Sequence, residues 1–334
     1  KLNFKKNSNT IVANFDRPEI FFRKKYLPFS GYLGDEEGMK EFATSRCDYI
    51  DSLLNRKNWK SEAGIVYVKT INETTYFADY LNSIGYKSDI YHGNLSPEQK
   101  ERVLNNFMND KTRTIVTTKA FGMGINKSNL RYVFIIGITE DMENFYQQVG
   151  RAGRDKKYAE CTLISDMNAD IDTCKFFINE SIPRKEEIEY TWDQLKQNAS
   201  TGNEKTFEKY VIKDKKKKSY SPLIYYLFNN YIDNQMEFSN LYDIVMNSDT
   251  IPDFNYKIID QRKSELESDL DNMIRFFDST TCMRVEILKY FNQSYTGVCE
   301  KCTTCWQNTK GNDKCKHVYR VKTGARRSSG SKCK

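Results

Sequence analysis

The feature that most constrains this chain is an alternation. Between residues 63 and 164, short β-branched and apolar runs take turns with capped, helix-like segments. Ala63–Lys69 (AGIVYVK) reads as a buried strand. Asn72 reads as the cap of a helix that runs to Ser83, and Gly85 stops it. Lys87–Tyr91 reads as the next strand. Ser96-Pro97-Glu98-Gln99 is a capping box with proline at the first helical position, and its helix carries Val103, Leu104 and Phe107 on one face. Thr112–Thr118 and Arg131–Ile136 read as strands, Glu140–Gly150 as a helix, and Ala159–Ile164 as a last strand. Strands separated by helices pair through crossovers rather than hairpins, so the expected fold is α/β, a parallel sheet with helices on both faces. Ligands of such sheets bind at the carboxyl ends of the strands. That directs attention to the loops after Thr118, after Ile136 and around Gly150.

The flanks read differently. Phe15-Asp16-Arg17-Pro18 forms a turn ahead of the apolar run Ile20-Phe21-Phe22, and Asp35-Glu36-Glu37 reads as a surface loop. After Pro183 the chain becomes polar and rich in Tyr and Asn, with helix-like pieces at Leu223–Tyr231 and Phe238–Met246 and a basic run at Lys213 and Lys215–Lys218. Ile258, Leu266, Leu270, Met273, Ile274 and Phe277 then fall near helical spacing. The expected division is an α/β lobe over 1–183, a polar helical insertion over 184–256, a helical cysteine-bearing domain over 257–306, and a loose basic tail over 307–334.

Cysteine usage sets the second constraint. Six of the nine cysteines, Cys282, Cys299, Cys302, Cys305, Cys315 and Cys333, crowd the end of the chain, while Cys47, Cys161 and Cys174 are scattered. No export signal is visible at the start, so the thiols are expected to stay reduced and the cluster to bind metal. Structural zinc takes four ligands in a tetrahedron and favours thiolates. Cys299-x-x-Cys302-x-x-Cys305 supplies three, and Cys282 can fold back as the fourth through a turn at Gly297, with Cys315 or His317 as the alternative fourth ligand. No open position is implied, so the expected role is structural, with binding coupled to folding.

A third pattern is Gly150-Arg151-Ala152-Gly153-Arg154-Asp155. Small neighbours let the backbone approach a ligand, and guanidinium groups suit bidentate phosphate recognition. A surface salt-bridge pair would explain two arginines alone. Beside Gly122-Met123-Gly124-Ile125-Asn126-Lys127 and Gln147, phosphate is the better account. The net charge of +7 is modest and only permits a polyanionic partner. No run of eighteen apolar residues occurs, so no membrane span is expected.

These segments together resemble the second RecA-like lobe of RecQ-family helicases, followed by that family's zinc domain. The match runs in order through Asn14-Phe15-Asp16-Arg17-Pro18, Ile90-Tyr91-His92-Gly93-Asn94-Leu95, Thr117–Lys127 with its AFGMGI core, Tyr146–Asp155, and Cys282–Cys305 with Leu288-x-Tyr290-Phe291 inside it. The resemblance implies an ATP-driven enzyme that moves 3′ to 5′ along one DNA strand and splits the duplex ahead, in DNA repair and recombination. It implies that Arg154 acts as an arginine finger on the γ-phosphate of ATP bound with Mg2+, and that Arg151 and Gln147 sense the same phosphates. Gly122, Gly124 and Asn126 would shape the loop between nucleotide and DNA. His92, Thr118 and Lys119 would lie near the tracked strand. The implied partners are single-stranded DNA, a duplex junction and a first RecA-like lobe, inside the cell: nuclear in a eukaryote, cytoplasmic or nucleoid-associated in a bacterium. Oligomeric state stays open.

The departures are specific. Lys69-Thr70 stands where the family has Ser-Arg, Gln148 replaces a Glu, and Ile138-Thr139 replaces an apolar-Pro pair. The chain after Cys305 is too short for the winged-helix domain many relatives carry. No GxxxxGK[ST] loop is present, and Thr201-Gly202-Asn203-Glu204-Lys205-Thr206 lacks the second glycine before its lysine. These residues alone are therefore expected not to hydrolyse ATP. A non-catalytic DNA-binding module and an RNA helicase lobe are the alternatives. The intact Arg151/Arg154 pair favours an enzyme, and the cysteine frame favours DNA.

Overall fold

In a computed structural model of the chain, the residues described are 15–31, 33–119, 121, 127–207, 209, 238–249, 251, 256–295 and 299–310. They form two compact units, one of Lys1–Cys174 with Asp269–Lys334 and one of Lys175–Ser268. The pieces at Leu223–Tyr231 and Lys213–Lys218, and Cys315, His317 and Cys333, lie outside the described residues.

The first unit carries six strands: β1 (Ile20–Tyr26), β2 (Ala63–Tyr67), β3 (Ser88–Tyr91), β4 (Thr114–Thr117), β5 (Leu130–Ile136) and β6 (Ala159–Ser165). They lie in the order β1-β6-β5-β2-β4-β3, and every pairing is parallel. β2, β4, β5 and β6 are buried at every position, as strands covered on both faces must be. The expected α/β architecture is therefore present.

The helices of this unit are α1 (Glu36–Arg56), α2 (Ile71–Ser83), α3 (Pro97–Met108), α4 (Met142–Val149) and the start of α5 (Asn168–Ser181). Ile50, Leu54, Phe77 and Leu81 of α1 and α2 pack with Val66, Val116 and Phe134 into one core. Three sequence expectations need correction. Asp35-Glu36-Glu37 is no loop: the Asp35 carboxylate caps α1 by accepting from the Gly38 amide at 2.8 Å, and both glutamates sit in the first turn, where the helix dipole favours them. The cap of α2 is Thr70, not Asn72. Its hydroxyl accepts from the Glu73 amide, and the Glu73 carboxylate returns to the Lys69 amide. The Ile20–Phe22 run, read in the sequence only as an apolar run after a turn, is the start of edge strand β1, whose charged second half, Arg23-Lys24-Lys25, hides the pattern and suits an edge.

The second unit contains α6 (Lys185–Thr201), α7 (Phe238–Asn247) and the first part of α8 (Lys257–Asp278). Ile188, Trp192 and Leu195 on one side of α6 bury against Phe207, Leu241 and Val245. The last segments are α9 (Met283–Tyr290) and α10 (Thr303–Lys310) in the first unit, so the start of the expected loose tail is helical. No helix among the described residues is long and apolar enough to cross a membrane.

One close approach fixes the sheet centre. A Cβ on Gly64 would lie 2.0 Å from the Tyr132 ring, which crosses β2 to bond Thr114 Oγ1 through its hydroxyl at 2.8 Å. Gly64→Ala should cost about 1–3 kcal/mol by overpacking. Pairing it with Tyr132→Leu should recover part of the lost melting temperature. A single variant that melts like the wild type would refute this packing account.

Candidate functional site

The arginine loop follows α4. Asp141 caps that helix through the Asn144 amide, Phe145 and Val149 face inward, and Gln147 is exposed. Gly150 ends the helix, and Gly153 adopts φ +60, a left-handed turn where a Cβ would meet Glu19 Cγ and the Lys157 carbonyl at 3.0 Å. The Gly153 amide donates to Leu130 O at 2.9 Å and the Asp155 amide to Ser128 O at 3.2 Å. The loop thus closes on the amino ends of β5 and β6, whereas the sequence reading placed it at the carboxyl ends. The reason is topological: a loop that follows a helix and precedes a strand must deliver the chain to that strand's start.

Three guanidinium groups converge here. Arg154 is exposed, and its Nε donates to Gly150 O at 3.5 Å. Partial burial and the positive charges of Arg151 and Arg17 hold its pKa below the usual arginine value. Arg151 is half-buried beside the phenol of Tyr67. Burial pushes the Tyr67 phenol up while Arg151 pulls it down, and its hydroxyl donates to Phe121 O at 3.0 Å. Among the described residues Arg151 makes no ion pair with a carboxylate, so it is not consumed as a surface salt bridge. Arg17, to which the sequence reading gave no role, bonds Gly150 O at 3.1 Å, Ala152 O at 2.6 Å and Glu19 at 2.5 Å. Only pairing of β1 with β6 brings it there. Gly122, Gly124 and Asn126 lie outside the described residues.

His92, Thr118 and Lys119 gather elsewhere, at the carboxyl edge. The register pairs Tyr91 with Thr117, so His92 and Thr118 leave the sheet side by side. His92 is buried, and its Nδ1 has no partner among the described residues. Burial, then Lys100, lowers its pKa. Lys119 is exposed and paired with Glu140 at 2.8 Å.

One departure acquires a reason. Lys69 Nζ bonds Asp170 O and Cys174 Sγ, each at 3.1 Å, tying β2 to α5, while Thr70 caps α2. Gln148 buries its Oε1 without a partner among the described residues. Nothing in the structure explains Ile138-Thr139.

The sulfurs of Cys282, Cys299, Cys302 and Cys305 all lie within 4.8 Å of one another, and all four residues are buried. Cys299 to Cys305 and Cys302 to Cys282 are 4.0 Å each. Zinc–sulfur bonds of about 2.3 Å put tetrahedral sulfurs about 3.8 Å apart, so the four thiols fit one zinc ion. Cys282 is thereby the fourth member among the described residues. Hydrogen bonds from the other three thiols hold the Cys302 thiol well below its ordinary range. Arg284, also missed in the sequence, lies against Cys299 and is buried. The signal for it was present: a cation two residues after Cys282.

Comparisons with known proteins match two parts of the chain. Residues 45–156 match the family model described as helicase conserved C-terminal domain, and residues 241–306 the one described as RecQ zinc-binding. The chain is similar to the ATP-dependent DNA helicase RecQ of Bacillus subtilis (strain 168), 34% identical over 164 residues, which cover 49% of this chain and 27% of that protein. It is similar to the ATP-dependent DNA helicase Q1 of Mus musculus at 32% identity, covering 46% and 22%. It is also similar to a putative ATP-dependent RNA helicase of Acanthamoeba polyphaga mimivirus, at 33%, covering 47% and 25%. The chain spans about a quarter of the length of these relatives.

Two measurements bear on these sites. Native mass spectrometry should find one zinc per chain, and Cys302→Ser should lose it; a metal-free wild type of unchanged stability would exclude a structural metal. NMR should show His92 titrating below its ordinary 6.5. The sign follows: a depressed histidine pKa contributes stability present above 6.5 and lost as the pH falls through the folded-state value. A His92→Gln variant should therefore lose less stability than the wild type on acidification from 6.5 down through that value.

Proposed function

We propose, from the premise that this chain is the C-terminal region of a RecQ-family helicase, that it supplies one wall of an ATP pocket and half of a grip on DNA. The observation that carries this reading is the convergence of Arg151, Arg154 and Arg17 on one loop, where Arg17 and Arg154 both bond Gly150 O. Burial first, then the charges of Arg151 and Arg17, lower the Arg154 pKa. A polyphosphate relieves the repulsion among these charges. Arg154, exposed at the rim, would face charge developing on the γ-phosphoryl group as it leaves, and Arg151 and Gln147 would orient the same phosphates. Gly122, Gly124 and Asn126 would shape the loop joining nucleotide to DNA. Mg2+ would neutralise phosphate charge, held by residues of the first lobe. Because that lobe carries the phosphate cradle, the present residues alone are proposed to be inactive.

At the other edge, His92, Thr118 and Lys119 would meet the sugar-phosphate backbone of a single strand near the duplex junction. A neutral His92 offers a hydrogen bond rather than a charge there, and Lys119 would exchange Glu140 for phosphate. Such contacts are independent of sequence and weaken with salt. Closure and reopening of two lobes about ATP would shift this grip along the strand, 3′ to 5′. The cysteine cluster would hold structural Zn2+, fixing α9 and α10 on β1. DNA is the proposed substrate over RNA because the matched zinc family accompanies relatives named DNA helicases. The setting is proposed to be intracellular, where DNA and reduced thiols coexist.

In the protein carrying both lobes, Arg154→Ala should lower the DNA-stimulated kcat for ATP by about 10³–10⁵ with little change in KM. Unwinding should be seen with DNA duplexes and not RNA duplexes. An Arg154→Ala enzyme of wild-type kcat, or ATP hydrolysis by the 334-residue chain alone, would refute the reading.

A further inference from the structure

The segment from Phe15 to Ile20 has no regular structure until β1 begins, yet its carbonyls are occupied from outside. Tyr146 donates its hydroxyl to Phe15 O. Arg284 donates to Arg17 O at 2.9 Å and to Ile20 O at 2.6 Å, and pairs with the Asp16 carboxylate. Lys301 donates to Pro18 O at 2.7 Å. The Ala159 amide takes Glu19 O at 3.1 Å, and Phe15 N bonds Gln293 Oε1 at 3.1 Å. Phe15 also stacks on Phe291 with ring centroids 5.1 Å apart. Arg284, Gln293, Phe291 and Lys301 all belong to the stretch bracketed by Cys282 and Cys302. The segment's conformation is therefore imposed mainly by the cysteine module.

The same segment ends in the guanidinium that holds the arginine loop. Arg17 places one nitrogen on Gly150 O and another on Ala152 O, the carbonyls flanking Arg151. A planar fork can satisfy two carbonyls two residues apart, and a lysine ammonium cannot do so with fixed geometry. Glu19 holds the third nitrogen and fixes the plane of the fork.

We propose that Arg17 is a positioning residue for the Arg151–Arg154 loop, and that Arg284 and Lys301 couple it to the cysteine cluster, so that metal loading sets how rigidly the phosphate-facing arginines are held. The path is contiguous: Cys282 and Cys299 fix Arg284, Arg284 fixes the Arg17 backbone, and the Arg17 side chain fixes Gly150 and Ala152. Without the metal, α9 and the Lys301 turn lose their common anchor. Arg17 would then lose the carbonyl contacts that set its own direction. The inference rests on the proposed phosphate role of Arg151 and Arg154 only for its catalytic consequence. The mechanical coupling stands by itself.

The test is hydrogen–deuterium exchange on the whole protein, read at the amides of Gly153 and Asp155, with the β4 amides Thr114–Thr117 as the control. Arg17→Lys and Arg284→Lys, each first shown to retain zinc, should raise loop exchange roughly tenfold while β4 stays protected. Chelating the zinc of the wild type should do the same. Combining Arg17→Lys with chelation should add little beyond either alone, because both break one path. In the ATPase, Arg17→Lys should lower kcat about tenfold with KM for ATP nearly unchanged. Unchanged loop exchange in Arg17→Lys overturns the positioning role. Chelation that loosens only α9 and α10, with the loop still protected, overturns the coupling. If chelation exposes β4 as well, the zinc-loaded Arg284→Lys protein decides: a protected loop there overturns the coupling and a loosened one supports it. Failure of the phosphate reading is separately visible, as intact hydrolysis in Arg154→Ala.

Discussion

The buried guanidinium of Arg284 is the constraint on which the first unit depends. A cation cannot leave water without partners, and removing its partners costs several kcal/mol. Burial works against the charge of Arg284, but Asp16 and Cys299 outweigh it and raise the pKa. Its remaining donors take the Arg17 and Ile20 carbonyls, and its plane lies over Phe22 at 5.0 Å. The side chain therefore reaches three things at once: the cysteine cluster, the edge strand and the segment ahead of it. A smaller or uncharged residue would satisfy at most one of them.

From that joint the geometry spreads inward through β1. The strand gains its sheet partner from β6 and a second contact from the cysteine module, where the Phe22 amide bonds Lys301 O at 3.0 Å beside a bridge to Cys302. Edge strands need such cover, since unpaired donors and acceptors invite other chains. Lys24 adds the carbonyls of Phe277 and Ser279 at the end of α8. The cysteine module thus acts as a clasp on the sheet edge nearest the arginine loop.

The two candidate sites lie at opposite edges of the sheet. His92, Thr118 and Lys119 lie where β3 and β4 end, and Arg151 and Arg154 where β5 and β6 begin. Tyr67 at the end of β2 ties Phe121, which follows β4, to Arg151 through one phenol. A contact of this kind passes free energy between two sites only where it differs between two states of the protein.

Much of this was written in local sequence. Strand and helix order followed from side-chain period, caps and breakers, and the cysteine frame followed from spacing, because those rules act over a few residues. The departures came where local rules are silent. Asp35-Glu36-Glu37 looks like a solvated loop until a helix follows it, and Asn72 and Thr70 are both competent caps. The arginine loop's place at the amino edge depends on which strand follows it in space. Arg17 and Arg284 are ordinary surface cations in sequence, 267 residues apart. The burial of Arg284 and its bond to the Arg17 carbonyl exist only once β1 has paired with β6 and the cysteines have closed. Sequence determined the elements and the chemistry available, since both depend on near neighbours. Tertiary structure decided which charges meet, since desolvation and hydrogen-bond geometry are properties of the packed chain.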